Sequence, residues 1–478
     1  MYNTLTPAHL SELQNLVGED YCKTDAETLN AFAQDYTEDL RHPPEVVVAP
    51  GSTEEVSAVL RFCSRKRIPV TPIGALTGLS GGALSIHGGV GLSTRRLNKI
   101  LKIDTDNHQV ITQPAVIVQA LQEAVEAEGL FYAPDPASRG SSFIGGNLAE
   151  NSGGPRAVKY GVTKDWVLNL EVVLPSGDVI ETGADTLKNS TGYNLTQLMV
   201  GSEGTLGVIT RATLKLIPKP QNDLLMLVPF DSAENACAAV SAIFKAGITP
   251  SALEFMERDA ILFTLKHTDA DGIQVDESAE AHLLIEVDGN ATDILMQDCE
   301  TILRVVEQFE AGEVLFADDQ AKKDALWYLR RRVGEAVKRH SIYKEEDTVV
   351  PRFKLPALLR GVKDIGKQYG FESVCYGHAG DGNLHVNIIK GELSDQQWNE
   401  ELPKAIRELF ELVKRLGGTI SGEHGIGLVQ KDYMDIAFTS AALDLMWQMK
   451  KVFDPQLILN PGKVLPSHYW DSNVTQPS

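Results

Sequence analysis

Residues 71–82 read Thr-Pro-Ile-Gly-Ala-Leu-Thr-Gly-Leu-Ser-Gly-Gly. A β-α-β pattern leads into them. Glu45–Ala49 (EVVVA) is strand-like, and Ser52 and Glu55 have capping-box spacing at a helix start. Val56, Val59, Leu60 and Cys63 then fall at i, i+3, i+4, i+7 and give that helix one apolar face. Pro69–Ile73 returns as a strand and runs into the glycines. A loop of this kind exposes backbone N–H groups and lets them approach a phosphate closely. The spacing is not Gly-x-Gly-x-x-Gly, and no Lys-Ser/Thr pair follows, so it is neither a Rossmann fingerprint nor a P-loop. Alone, the stretch is equally readable as a flexible surface turn.

Two further loops lie downstream. Residues 134–161 read PDPASRGSSFIGGNLAENSGGPRAVKYG, and residues 189–209 read NSTGYNLTQLMVGSEGTLGVI. Three loops rich in Gly, Ser, Thr and Asn are poor material for a core. They suit the wrapping of a large, extended polar ligand that carries a pyrophosphate. Between them, strands are expected at Ile100–Ile103 and Val110–Ala115, and a helix at Ile117–Glu128 stopped by Gly129. Val167–Leu174 and Val179–Thr182 flank the turn Pro175-Ser176-Gly177-Asp178.

The texture changes near Pro218 and Pro220. Strands at Leu224–Phe230, Ala252–Glu257, His282–Asp288 and Glu313–Phe316 alternate with helices at Ala233–Ala246 and Asp293–Phe309. The order β-α-β-β-α-β is the ferredoxin-like layout, so a second domain with an antiparallel sheet is expected. Helices near 319–340, 355–369 and 394–416 surround two more strands, near 372–377 and 384–389. The fold class is therefore α+β. Expected divisions are an N-terminal helical segment (1–40), a first domain (41–218), a second domain (219–438) and a tail (439–478) that returns to the first.

Composition narrows the function. With 478 residues, two or three domains are expected. The net charge of −21 disfavours nucleic acid and anionic membrane as partners. Cysteines at 22, 63, 237, 299 and 375 form no Cys-x-x-Cys pair, which argues against a disulfide framework and an iron–sulfur cluster. No signal-peptide pattern opens the chain and no apolar run of about 18 residues occurs. A cytoplasmic protein is expected, with peripheral contact at the inner face of a membrane left open.

The segments TPIGALTGLSGG, DPASRGSSFIGGNLAENSGGPRAVKYGVTKDWVLNLEVVLPSGD, TGYNLTQLMVGSEGTLGVIT, GHAGDGNLH, GTISGEHGIG and DPQLILNPGK together resemble the FAD-linked oxidase family. Within it they are similar to the branch that holds glycolate oxidase, D-lactate dehydrogenase and D-2-hydroxyglutarate dehydrogenase. The resemblance implies a p-cresol methylhydroxylase-type FAD-binding domain followed by a cap domain. It places Ile73, Gly74, Ala75, Leu76, Thr77, Gly78, Leu79 and Ser80 along the pyrophosphate. Pro134, Asp135, Ser141, Ser142, Gly145 and Asn147 would follow the cofactor. Gly153, Gly161, Glu203, Gly207 and Ile209 would hold more of it, and Asn460 would close the site. One departure is Gly74-Ala75-Leu76, where the family loop often has three glycines. The loop also has no histidine, so FAD is expected to be held non-covalently.

His378 and His385 flank Gly380-Asp381-Gly382-Asn383, and Asp-Gly is a turn signal, so the two rings are expected to face each other across a hairpin. Glu423-His424 follows later. Two imidazoles and a carboxylate suit a divalent metal, zinc first and manganese or iron as alternatives. The other reading is that the histidines cap a hairpin and bind nothing. The resemblance favours metal at His378, His385 and Glu423, because some relatives bind metal at matching positions, and it leaves His424 free for proton transfer. Oxidising a 2-hydroxy acid removes the hydroxyl proton and moves a hydride from C2 to the flavin. Arg330, in LWYLRRRVGEA, matches the family's carboxylate-binding position, although it also reads as a solvated helix arginine. Lys344 and Asn387 are further pocket candidates.

The expected activity is that of an FAD-dependent 2-hydroxy-acid dehydrogenase. Its partners are the substrate acid and a non-oxygen acceptor such as a quinone, an electron-transfer flavoprotein, a cytochrome or an iron–sulfur protein; a homodimer is also considered. Competing readings are an oxygen-using FAD oxidase, a flavin-dependent alkyl transferase, a metallohydrolase and a non-enzymatic subunit. No His-Glu-x-x-His supports the hydrolase.

Overall fold

The computed structural model describes residues 2–37, 40–269 and 275–474. Residues 1, 38–39 and 475–478, at the margins of the expected N-terminal segment and tail, lie outside the described residues, as do 270–274. The chain forms two compact units. The first comprises Met1–Ser152, Val162–Lys219 and Glu423–Ser478, and the second Gly153–Gly161 and Pro220–Gly422.

In the first unit, β1 (Val46–Val48) and β2 (Val70–Ile73) both pair in parallel with β3 (Val90–Ser93). Helix α1 (Thr53–Lys66) crosses between β1 and β2. Val56, Val59, Leu60 and Cys63 are fully buried on its inner face, as their spacing predicts. The capping differs from expectation. Ser52 accepts from Glu55 N at 3.2 Å, but the Glu55 carboxylate takes Gly51 N at 2.7 Å. Gly51 comes one residue before the cap, so the box is opened by one position. A second sheet has the order β4-β5-β8-β6-β7: β4 (Ile100–Asp104), β5 (Gln109–Thr112), β6 (Val167–Val173), β7 (Val179–Glu181) and β8 (Val208–Lys215). Helices α2 (Val118–Glu126) and α3 (Ile144–Glu150) lie in the connection between β5 and β6.

The second unit is built on one seven-stranded sheet. Its strands are β9 (Asn222–Phe230), β10 (Ala252–Glu257), β11 (Ala281–Gly289), β12 (Leu315–Ala317), β13 (Tyr343–Val349), β14 (Glu372–Gly377) and β15 (Asn383–Ile389). The order is β12-β9-β11-β10-β14-β15-β13, with every neighbouring pair antiparallel. The first four form the ferredoxin-like half, with α4 (Ala233–Lys245) and α6 (Thr292–Val306) in the expected places. Two elements lie beyond the sequence expectation: helix α5 (Arg258–His267) and strand β13. The helix expected over 319–340 is two helices, α7 (Gln320–Arg331) and α8 (Val333–His340), meeting at Arg332. Leu326, Leu329, Val333 and Val337 from that pair pack with Leu227, Met256, Leu284 and Tyr376 of the sheet.

The chain re-enters the first unit at Glu423, ahead of the boundary expected at 439. Helix α9 (Ser440–Phe453) follows. Its buried Lys450 binds Asp454 at 2.6 Å and the carbonyls of Thr205 and Leu459 at 2.8 and 2.7 Å. Asn460 N then bonds Val70 O, which fixes the return beside β2. Among the described residues, no helix is long and apolar enough to cross a membrane.

Candidate flavin cradle and active-site face

In the first unit the glycine-rich loop leaves β2 as predicted. Leu76 has φ +63°, a left-handed conformation that normally favours glycine. The departure from three glycines therefore keeps the glycine-like backbone, at the cost of placing a leucine where side chains are disfavoured. Ser80 is buried and its Oγ has no hydrogen-bond partner; the same holds for Ser142 Oγ and Asn147 Nδ2. A buried hydroxyl or amide without a partner costs stability unless a ligand or water completes it. Three such groups on the loops singled out for a polar ligand fit FAD. Tyr132 and Glu150 add buried unpartnered oxygens that the sequence motifs do not single out.

Other expected cofactor residues have structural explanations. A Cβ on Gly207 would overlap Val172 Cγ1, and one on Gly145 would sit 2.5 Å from Pro114 Cβ. Pro134 O accepts Gln122 Nε2 at 2.9 Å, and Asp135 Oδ1 is 3.1 Å from Arg139. Ser141 is exposed and bonds Ser138 O, and Ile209 is paired with Val172 in the sheet. Gly153 and Gly161 bound the short segment that belongs to the second unit. There Lys159 and Tyr160 both bond Asp288 of β11.

Asn460 and Lys463 sit behind the loop. Asn460 Nδ2 donates to Gly82 O (3.0 Å) and Glu203 O (2.8 Å), and Lys463 Nζ donates to Gly82 O (2.9 Å), Leu84 O (2.7 Å) and Asn460 Oδ1 (2.9 Å). The Glu203 side chain accepts from Ile426 N (2.8 Å) and Gly427 N (2.7 Å), and Leu428 N donates to Ser80 O at 2.8 Å. Burial raises the pKa of both Glu203 and Glu150. At Glu203 the two backbone N–H groups oppose it, whereas Glu150 also feels the Glu203 charge, so the Glu150 acid is the more strongly raised of the two. Glu423 and His424 open this returning segment.

In the second unit, directly opposed residues of antiparallel strands share a face and successive residues alternate. Met256 opposes Tyr376, Tyr376 opposes His385, His385 opposes Asp347, and Asn387 opposes Glu345. Glu254 lies two residues from Met256, so one face carries all of these groups. The His378 and His385 rings meet edge to face with centroids 5.4 Å apart. Between them runs a short helical turn, Ala379–Asp381, and Gly382 at φ +87°, rather than a two-residue hairpin turn.

Glu254 is completely buried at the centre. Both its oxygens lie within 2.9 Å of His378 Nδ1, and Oε2 is 2.7 Å from Arg330 Nη2. Burial pushes the Glu254 pKa up, but His378 and Arg330 outweigh it and hold the acid below its ordinary value. Arg330 is 5% exposed and its Nε has no hydrogen-bond partner, which settles it as a buried arginine and not a solvated one. Of its neighbours, half-buried Arg331 lies over the Trp327 ring, and exposed Arg332 pairs with Glu335. Asp347, also fully buried, accepts from Asn383 Nδ2 (2.6 Å), Ser421 Oγ (3.2 Å) and Gly422 N (2.8 Å), with His385 Nδ1 at 3.7 Å. Asn387 is fully buried, and neither amide atom has an aligned partner. Burial, then Glu345, drive the Tyr376 pKa well above its ordinary value, so its hydroxyl stays a donor.

Lys344 is the exception among the sequence candidates. It opposes Ile388 and so projects to the sheet face opposite Glu345 and Asp347. Its ammonium lies 5.6 Å from the Trp398 ring. The strand's alternation thus separates it from the face that carries Glu345, Asp347 and His385. Glu254 and Asp347 are additions that the motifs do not reveal. The available signal is Glu254 as a lone acid inside the apolar run Ala252–Met256.

Residues 219–464 match the family model of FAD linked oxidases, C-terminal domain, and residues 44–183 match the FAD binding domain model. The chain belongs to the FAD-linked oxidases. Among members of this family, it is 38% identical to a D-lactate dehydrogenase of Anaerostipes hadrus, covering 97% of this chain and 98% of that one. It is 40% identical to the glycolate oxidase subunit GlcD of Bacillus subtilis, with 91% of each chain covered. A D-2-hydroxyglutarate dehydrogenase of Stutzerimonas stutzeri is 34% identical over 96% of this chain and 99% of its own. In fold, the chain is similar to p-cresol methylhydroxylase with substrate bound, at TM-score 0.78 and 16% identity, covering 98% and 99% of the two chains.

Proposed function

We propose that the chain is an FAD-dependent dehydrogenase that oxidises a small D-2-hydroxy acid, such as D-lactate, glycolate or D-2-hydroxyglutarate, to the 2-oxo acid. The observation that carries this reading is Arg330, a buried guanidinium with an uncommitted Nε that shares the Glu254 carboxylate with His378. A buried arginine with spare donors suits a carboxylate, which it can grip in two places. The names of the relatives agree on the substrate class.

Bound FAD supplies the two-electron acceptor, and a divalent cation at His378, His385 and Glu423 supplies acidity to the substrate hydroxyl. The donor set suits zinc, with manganese or iron as alternatives. Because the Glu254 carboxylate can only accept, His378 carries its proton on Nδ1 and leaves Nε2 as a ligand atom. Glu423 follows Gly422, whose N–H is held by buried Asp347, so its backbone starts from a fixed point. Arg330 orients the carboxylate, and His424 takes the hydroxyl proton. FAD is held without a covalent bond, since residues 73–80 contain no histidine. Electrons leave to a quinone, an electron-transfer protein or a partner subunit, and the protein works in the cytoplasm.

The test is a panel of D- and L-2-hydroxy acids assayed with an artificial electron acceptor and, in parallel, with oxygen. Turnover of D-acids with the dye and slow turnover with oxygen are expected. A rate with oxygen equal to that with the dye makes the protein an oxidase, and bleaching of the flavin by none of the acids removes the reading.

A further inference from the structure

The family resemblance places Glu203 against the cofactor. Its side chain also has protein partners: Oε1 and Oε2 each take one backbone N–H, from Ile426 and from Gly427. Those are the second and third residues after His424. Glu203 is itself rigid. It is 7% exposed and has φ +51°, a conformation a non-glycine side chain adopts only when its surroundings over-determine it. Its N donates to Ala149 O at 2.9 Å, and its carbonyl accepts from Asn460.

The turn it grips is closely fitted. Gly425 has φ +80°, and a Cβ there would overlap Glu150 Oε2 and come within 3.1 Å of Glu203 Cδ. Gly427 has φ +49°, and a Cβ there would overlap Ser80 O. Leu428 N and Val429 N both donate to Ser80 O, at 2.8 and 3.3 Å. The backbone that follows His424 is therefore seated on the glycine-rich loop by one side and on the Glu203 carboxylate by the other.

We infer that Glu203 is a positioning residue for His424: its carboxylate, backed by Glu150, fixes the turn 425–428 against the glycine-rich loop and so sets where the His424 ring begins. The inference rests on the reading of His424 as the base. A base misplaced by about 1 Å can lose on the order of 10²-fold in rate, which is the scale a missing carboxylate should cost.

The experiment uses holoenzyme carrying Glu203→Ala and Glu203→Gln. It measures FAD per chain, hydrogen exchange of a peptide spanning 423–429, and the rate of flavin reduction per bound flavin at saturating D-lactate or whichever D-acid the panel selects. Glu203→Ala should keep FAD, speed exchange at Ile426 and Gly427, and slow flavin reduction by about 10²-fold with little change in KM. Glu203→Gln keeps one acceptor oxygen and should fall between the two, which also covers the case of an Ala variant that fails to fold. Loss of FAD with an unchanged rate per bound flavin would restore the cofactor role and overturn the inference. Faster exchange without a slower reduction overturns it too, provided that His424→Ala is slow. If His424→Ala also reduces flavin at the normal rate, the base reading itself has failed, and unchanged exchange in Glu203→Ala would separately remove the hold on the turn.

Discussion

The Nδ1 atom of His378 lies 2.9 and 2.8 Å from the two oxygens of Glu254. One of those oxygens is also 2.7 Å from Arg330. A single buried carboxylate thus orients both a proposed metal ligand and the proposed substrate clamp. Carboxylates behind ligand histidines are worth about 10–100-fold in metal affinity. Glu254→Gln is expected to lower metal content by that order, measured by elemental analysis after dialysis, and to raise KM for the acid because Arg330 loses its charged partner. A variant with full metal and unaltered KM would show that Glu254 only fills the core.

His424→Ala and Arg330→Ala should fail in different ways. Loss of a general base typically costs about 10²–10⁴ in rate, so His424→Ala should reduce flavin slowly at any substrate concentration while keeping FAD. Arg330→Ala removes the carboxylate grip, so affinity should fall first and the limiting rate second. Stopped-flow flavin reduction across substrate concentrations separates the two. Identical profiles for both variants contradict the assignment of roles.

Lys344→Ala should not discriminate between substrates. Its ammonium lies over Trp398 on the far face of the sheet, so kcat/KM for D-2-hydroxyglutarate and for D-lactate should change by the same small factor. A selective loss on the dicarboxylate would mean that the strand presents Lys344 to the pocket after all.

Acid stability should report on His282. This residue is 1% exposed, neither ring nitrogen has a hydrogen-bond partner, and burial depresses its pKa to about 4 against a weak upward pull from Asp276. Between pH 6.5 and 4 the unfolded chain gains a proton there and the native chain does not. Stability should therefore fall as pH drops through that window and level off below it, by about 3 kcal/mol at most. Denaturant titrations from about pH 7 down to about pH 4 should show the slope in the parent protein and a smaller one in His282→Leu. Equal slopes would assign the effect to other groups.

The flavin should be released into the supernatant on acid precipitation. Ser142→Ala or Asn147→Ala should weaken FAD binding, since each removes a buried polar atom that has no protein partner. Yellow colour retained in the precipitate would contradict non-covalent binding.

Much of this architecture is legible in the sequence because it follows repeating rules. The α1 stripe, the turn at Pro175–Asp178 and the ferredoxin-like order all follow from periodicity and turn chemistry. Strand β13 escapes the same reading for a physical reason. In Tyr343–Val349 the face shared with His385 carries Tyr343, Glu345, Asp347 and Val349, and the other carries Lys344, Glu346 and Thr348, so neither face is apolar. Polar and charged residues on both faces remove the apolar–polar alternation that normally marks a strand. The same cause hides Asp347, while His378, His385 and His424 are visible because their chemistry is unusual anywhere. Glu203 is visible as part of a motif, but its partners are 223 and 224 residues away, and only the folded chain reveals that its side chain serves the turn.

The lysine behind the glycine-rich loop has a temporal consequence. Lys463 holds the carbonyl of Gly82 from 381 residues further along the chain, and Asn460 does so from 378. A ribosome adding about 5–20 residues per second needs roughly 20–80 s to cover that distance. The loop is therefore made long before its support exists, and the second unit is synthesised in between. The cradle is complete only once residues 460–463 are made, so a nascent chain stalled before residue 460 should carry a folded second unit and no cofactor.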